Sequence, residues 1–326
     1  FQTFPYNSNG VAHILEHTVL CGSEKYPIKD PFFAMTRRSL NTFMNALTGS
    51  DVTCYPAASQ VEKDFYNLLE VYLDAVFFPE LKELSFLQEG HRLEFENPND
   101  PNSPLVYRGI VFNEMKGSLS SPETRLWHAI MKSLTPELPY AYNSGGSPEE
   151  IPSLTYEELK VFHQKYYHPS HCLFYFYGNL PIEKHLDFIE KNGLEQVEKV
   201  PDLPPIPHQK RFTEEQIYRE IYPLQTHDHE QKTFIAFAWL TTDLQNQEDA
   251  LALAVLDSIL VETDASPLKY ALLKSGFCTQ ADGYLDLDMS EIPYVIICRG
   301  CKEEDAENLK KLIRTTLENI ASVGID

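Results

Sequence analysis

His13, Glu16 and His17 are the residues whose types and spacing carry chemistry. At about 100° per residue in an α-helix, His13 and His17 lie roughly 40° apart, with Glu16 about 60° to the other side of His13. All three side chains fall in an arc of roughly 100°, so one ion can meet both imidazoles while a carboxylate stands beside it. The order His-x-x-Glu-His inverts the HExxH zinc helix, in which two histidines bind the metal and the glutamate moves the proton. It points to metal-dependent peptide hydrolysis. The plainer alternative is a pair of partly buried, hydrogen-bonded helix histidines.

A helix is expected around these residues. Asn7-Ser8-Asn9-Gly10 offers N-cap chemistry, a largely apolar run from Val11 to Leu20 follows, and Gly22 suits the C-terminal cap. A catalytic zinc typically takes three protein ligands and a water, so two histidines need a third partner from another element. Glu114 is the candidate. It sits among apolar residues at helical spacing, where burying an unpaired carboxylate is costly and a metal offsets the cost. A solvent-facing helix glutamate is the alternative.

The chain has 326 residues, enough for two domains with separate cores. It opens at Phe1 without a methionine and stops just after an expected helix, as if both ends were cut from a longer protein. No apolar run is long enough to span a bilayer. A formal net charge of −21 disfavours nucleic acid and anionic membrane surfaces and favours basic peptides. Cys21, Cys54, Cys172, Cys278, Cys298 and Cys301 lack a framework spacing, so reduced thiols are expected. Cys298 and Cys301 form a lone CxxC with no second pair nearby.

Pro201-Asp202-Leu203-Pro204-Pro205-Ile206-Pro207 reads as a stiff, extended linker. Residues 1–200 are then a first domain, 201–211 the linker and 212–326 a second domain. In the first, helices are expected at 11–20, 31–40 and 61–76, and strands at 42–47, 52–55 and 172–177. Ser147 and Thr155 each open a capping-box pattern. In the second, strands are expected at 216–222, 233–240, 278–287 and 293–298, and helices at 247–261, 266–275 and 303–321. The matching order predicts a duplicated α+β fold: two homologous domains, each a mainly antiparallel sheet covered by helices. The second copy has Ala250-Leu251-Ala252-Leu253-Ala254-Val255 where the first has its His/Glu helix, so only the first is expected to do chemistry. His227 and His229 read as solvated loop residues.

Longer stretches carry a family resemblance. They are Gly10 to Ser23 (GVAHILEHTVLCGS), Asp30-Pro31-Phe32-Phe33, Asn41 to Thr48 (NTFMNALT), Leu105 to Gly117 (LVYRGIVFNEMKG), Ser144-Gly145-Gly146 and Tyr167-His168-Pro169-Ser170. In this order they resemble the presequence protease clade of the pitrilysin and insulin-degrading enzyme (inverzincin) family, and the similarity extends over essentially the whole chain. The resemblance implies zinc held by His13, His17 and Glu114, with Glu16 as catalytic base. It implies that Asn45 and Ala46 lie on an edge strand that pairs with the substrate backbone, a role compatible with β-augmentation. It implies a zinc metalloendopeptidase that degrades short, unfolded, targeting-peptide-like chains inside a closed chamber, and a C-terminal homologous half of the same protein as partner. A bacterial cytoplasm or an organelle matrix or stroma would suit it. The family's opening strand ahead of the motif helix is scarcely visible before Asn7. A non-catalytic peptide-binding or scaffold homologue and a structural zinc protein remain the competing readings. A scaffold has no use for Glu16, and a structural site needs a fourth protein ligand.

Overall fold

The computed structural model describes residues 1–195, 197–224 and 231–324. The chain divides into two compact units, Phe1–Ser121 with Tyr142–Pro205, and Pro122–Ala141 with Ile206–Asp326. Residues 122–141, expected within the first domain, therefore group with the second unit. Both units are α+β, with small antiparallel sheets.

The first unit begins with residues 1–3 paired to residues 51–53: Thr3 N–H donates to Asp51 O, Thr53 N–H to Phe1 O, and Gln2 bridges Val52. This short pairing stands where little of an opening strand was expected. Helix α1 (Val11–Val19) follows, then α2 (Pro31–Arg38). Strands β1 (Asn41–Met44), β2 (Leu47–Thr48), β3 (Thr53–Cys54) and β4 (Ala57–Ser59) pair antiparallel as β1 with β4 and β2 with β3. Helix α3 (Glu62–Phe77) leads to α4 (Glu83–Glu89), the hairpin β5 (Arg92–Phe95) and β6 (Leu105–Arg108), and α5 (Ile110–Ser118). Gly109 is required at the base of the hairpin, because a Cβ there would sit 1.9 Å from the Gly90 carbonyl oxygen.

Helix α1 is the centre of this unit. Val11, Ala12, Ile14, Leu15 and Val19 are all buried, in a core shared with Phe86, Val111, Ile151, Leu159 and Phe162. Its start differs from a simple side-chain cap. Gly10 adopts a left-handed φ of 72°, and Asn9 Oδ1 accepts from Val11 N–H at 3.1 Å.

Helix α6 (Pro122–Leu134) belongs to the second unit; α7 (Tyr156–Tyr166) and α8 (Ile182–Ile189) return to the first. Thr155 caps α7 with the full box, its hydroxyl accepting from Glu158 N–H and Glu158 accepting from Thr155 N–H. Ser147 does not open a helix: its carbonyl closes a tight turn with Glu150 N–H, and Glu150 accepts from Ser8 N–H instead. Residues 172–177 are extended but unpaired among the described residues. Phe174 lies tilted against Phe77 and Phe176 stacks on His185, while Leu173, Tyr175 and Tyr177 face solvent. The alternating pattern is that of a strand; what it lacks is a neighbour to take its backbone hydrogen bonds. Residues 216–222 likewise form no strand.

The second unit is built on one three-stranded antiparallel sheet of β7 (Thr233–Asp243), β8 (Gln280–Leu285) and β9 (Glu291–Cys301), ordered β7-β9-β8. Helices α9 (Gln247–Val261), α10 (Pro267–Ser275) and α11 (Ala306–Val323) complete it. The central strand β9 is buried on both faces. Ile296 and Cys298 pack with Leu260, Leu268, Leu272, Leu309 and Ile313 from these helices. On the other side α6 packs against β7, and Trp127 meets Tyr284 edge to face. That cover explains why residues 122–141 group here: an amphipathic helix finds the open face of a two-sided sheet.

Deleting buried volume from α1 should unravel the first unit. Ile14→Ala removes three carbons from a fully buried site and is expected to cost about 2–5 kcal/mol, read by chemical denaturation. A cost under about 0.5 kcal/mol would show that α1 is not the packing centre.

Candidate metal centre

The three expected ligands meet. One ligand atom each from His13, His17 and Glu114 lie within 4.8 Å of one another, and no fourth His, Cys, Asp or Glu joins them among the described residues. Glu114 Oε2 is 3.7 Å from His13 Nε2 and 4.0 Å from His17 Nε2. Donor atoms around a tetrahedral zinc lie about 3.3 Å apart, given bonds of ~2.0–2.1 Å, so a small rotamer adjustment closes the site.

The imidazoles face the centre for a reason. His13 Nδ1–H donates to the Gly145 carbonyl at 3.1 Å, and His17 Nδ1 bonds Glu89 Oε2 at 3.1 Å. A carbonyl can only accept, so the proton of His13 is on Nδ1 and its Nε2 lone pair is free for a metal. Gly145 reaches His13 because Gly10 approaches it closely: a Cβ on Gly10 would lie 3.0 Å from Gly145 O. Glu89, at the end of α4, is buried, and its other oxygen accepts from Gln88. Burial pulls the His17 pKa down, but the hydrogen bond to Glu89 and the charges of Glu16, Glu89 and Glu114 outweigh it, and the net direction is up. Cys21 donates to the His17 carbonyl and to Glu89, and burial with the Glu89 charge pushes its thiol up to about 12. It stays a protonated thiol and is no competing ligand.

Glu16 stands apart from the three. It is buried, and Thr48 Oγ1 donates to its Oε2 at 2.5 Å, which leaves Oε1 unbonded by protein among the described residues. Tyr55, Tyr72 and Tyr167 lie around it. Burial is the main cause that raises each of their pKa values, and the Glu16 charge adds to it. They remain neutral phenols.

Two expectations need correction. Glu114 is not buried: its side chain is 54% exposed, at the edge of the core-facing side of α5 that Val111, Phe112 and Met115 occupy. Its carboxylate is therefore solvated on one side and turned to the imidazoles on the other. Asn45 and Ala46 are not within a strand but in the break between β1 and β2. Asn45 N–H donates to Pro56 O at 3.0 Å, and Tyr72 OH donates to Asn45 O at 2.6 Å. β1 and β2 each have one partner strand, so their other edges are open among the described residues. Glu89 had no role in the sequence reading, and Gly145 and Thr48 entered it only as members of motif stretches, with no contact assigned to them. His227 and His229 lie outside the described residues.

Comparison with known proteins gives the class. The description "Insulinase (Peptidase family M16)" matches residues 5–100, and "Peptidase M16 inactive domain" matches residues 153–326. The chain belongs to peptidase family M16. It is 44% identical to the mitochondrial presequence protease of Xenopus laevis over 330 residues, covering all of this chain and 32% of that protein. It is 41% identical to "Protein HypA" of Clostridium perfringens, again over the whole chain and 34% of the relative. It thus spans about a third of the length of these relatives. A protease from Helicobacter pylori shares the fold with a TM-score of 0.70 at 21% identity, over 99% of this chain and 74% of that one.

Glu89→Gln keeps the shape of the side chain but removes the charge behind His17. Zinc affinity, measured by chelator competition, is expected to fall about 10–100-fold. Unchanged affinity would remove Glu89 from the account.

Proposed function

We propose that this chain is the metal-holding part of a zinc metalloendopeptidase that degrades short, unfolded, targeting-peptide-like chains. The observation that carries the reading is the convergence of His13, His17 and Glu114, with Glu16 beside them and outside the ligand set. Two imidazoles, one carboxylate and an open fourth position are the donor set of a hydrolytic zinc. Bound there, zinc would polarise the scissile carbonyl and acidify a water molecule.

The protein's own groups do the rest. His13 and His17 are held in one orientation by Gly145 and Glu89. Glu16, fixed by Thr48 on one oxygen, has the other free to take a proton from the attacking water and pass it to the leaving amine. An extended peptide backbone would add by β-augmentation along the open edges of β1 and β2, the strands that flank Asn45 and Ala46. The net charge of −21 favours basic peptides. The second unit, with Ala250 to Val255 in place of ligands, is non-catalytic, and the two units are copies of one domain. The C-terminal homologous half, part of the length by which the relatives exceed this chain, supplies the groups that close a chamber and bind substrate distally. A mitochondrial or plastid interior or a bacterial cytoplasm suits such an enzyme, and no helix among the described residues is long and apolar enough to cross a membrane.

Zinc titration and peptide cleavage test this. The chain should bind one zinc, lose it to a chelator and regain it on zinc addition, and His17→Ala should abolish binding. Glu16→Gln should keep zinc and lower cleavage of a basic unfolded peptide about 10²–10⁴-fold. A Glu16→Gln protein that cleaves at the parent rate would show the base to be misassigned.

The chain alone should bind zinc yet cleave slowly, because the distal groups are missing. Turnover within about tenfold of the 44%-identical Xenopus laevis relative would contradict the need for a second half.

A further inference from the structure

The carbonyl that orients His13 stands in a turn of two consecutive glycines, Gly145 and Gly146. Glycine loses more backbone freedom on ordering than any other residue, so such a turn does not hold a carbonyl still by itself. Its neighbours must hold it. Asn143, just ahead of the Ser144-Gly145-Gly146 stretch, is placed to do so.

All four polar groups of Asn143 are engaged around this turn. Its N–H donates to Ser8 Oγ at 3.1 Å, and its carbonyl accepts from Gly146 N–H at 2.9 Å. Its side-chain Oδ1 accepts from Gly145 N–H at 3.1 Å, and its Nδ2 donates to Gly146 O at 3.2 Å. Only this orientation of the amide satisfies both neighbours, since an N–H donates and a carbonyl accepts. The peptide unit joining Gly145 to Gly146 is planar and trans, so its C=O and its N–H point in opposite directions. The N–H is directed at Asn143 O, and the Gly145 oxygen therefore points the other way, where it meets His13 Nδ1 at 3.1 Å.

Ser8 ties the turn to the entry of α1. Its carbonyl accepts from Ser147 N–H at 2.7 Å, and its own N–H donates to the Glu150 carboxylate at 2.9 Å. On its other side the turn rests on α5: a Cβ on Gly145 would lie 2.9 Å from Met115 Cε, next to Glu114. The turn is thus braced against both helices that carry the expected ligands.

We propose that Asn143 is a positioning residue of the metal centre. Anchored by Ser8, it aims the Gly145 carbonyl and so keeps His13 as the Nδ1–H tautomer, with Nε2 open to an ion. It acts through the carbonyl and is bonded to no ligand itself. The consequence for zinc rests on the peptidase reading; the tautomer does not.

Heteronuclear NMR of the imidazole nitrogens in the metal-free 326-residue chain reads the tautomers of His13 and His17 separately, at a pH where both rings are neutral. The parent should show His13 as Nδ1–H. Asn143→Ala should leave His13 a mixture of tautomers, while His17, held by Glu89, keeps its signature. Asn143→Asp retains the acceptor for Gly145 N–H and should keep the single tautomer. Ser8→Ala removes the anchor from outside the turn and should shift His13 in the same direction as Asn143→Ala. Zinc affinity by chelator competition should fall about tenfold in Asn143→Ala and stay within about threefold of the parent in Asn143→Asp. A His13 signature unchanged in both Asn143→Ala and Ser8→Ala would overturn the inference, as would unchanged zinc affinity in Asn143→Ala. So would equal disturbance of His13 and His17, the mark of a unit that has merely loosened. If the parent bound no zinc, the peptidase reading would fail, and the two tautomers would still decide whether Asn143 positions His13.

Discussion

Burial of α1 is the constraint on which the metal centre depends. A helix that carries two imidazoles and a carboxylate on one arc can present them to an ion only if it cannot roll, and α1 cannot. Ile14, Leu15 and Val19 are in the core, and Gly10 is locked against Gly145 at the entry. The close approach at Gly10 also brings the carbonyl that fixes His13. Packing and chemistry share one contact there, so a substitution that loosens the turn would also free an imidazole.

The site is made of four separate chain segments, each arriving with a different task. α1 brings the imidazoles and Glu16, α5 brings Glu114, the end of α4 brings Glu89, and the loop at 143–146 brings the Gly145 carbonyl. The hairpin β5–β6 separates α4 from α5, and the contact between Gly90 and Gly109 at its base returns the chain to the place it left. Glu89 and Glu114, distant in sequence, are thereby both delivered to His17. Glu89 bonds its Nδ1 at 3.1 Å, and the Glu114 carboxylate stands 4.0 Å from its Nε2.

Much of this was legible in the residues. The inverted His-x-x-Glu-His spacing located the helix and its chemical face, and the box at Thr155 marked a helix start that the structure keeps. The helix at 247–261 and the strands near 233–240, 278–287 and 293–298 are expected from the residues and are present as α9, β7, β8 and β9. What was hidden depends on contacts far apart in sequence. Glu89 and Thr48 show nothing of their contacts in sequence, being 72 and 32 positions from the α1 residues they bond. Glu114 was chosen for apolar neighbours, yet those neighbours are buried while Glu114 itself is exposed at the edge of their face. Residues 172–177 have the alternation of a strand, but a strand also needs a neighbour, and periodicity cannot say whether one is there.

The central claim is that two imidazoles and one carboxylate hold zinc with a position left open. X-ray absorption at the zinc edge of the loaded chain reads that first shell directly. Two imidazole nitrogens and oxygen neighbours at about 2.0–2.1 Å, with no sulfur, are expected. A sulfur shell at about 2.3 Å, or a single imidazole, would contradict it.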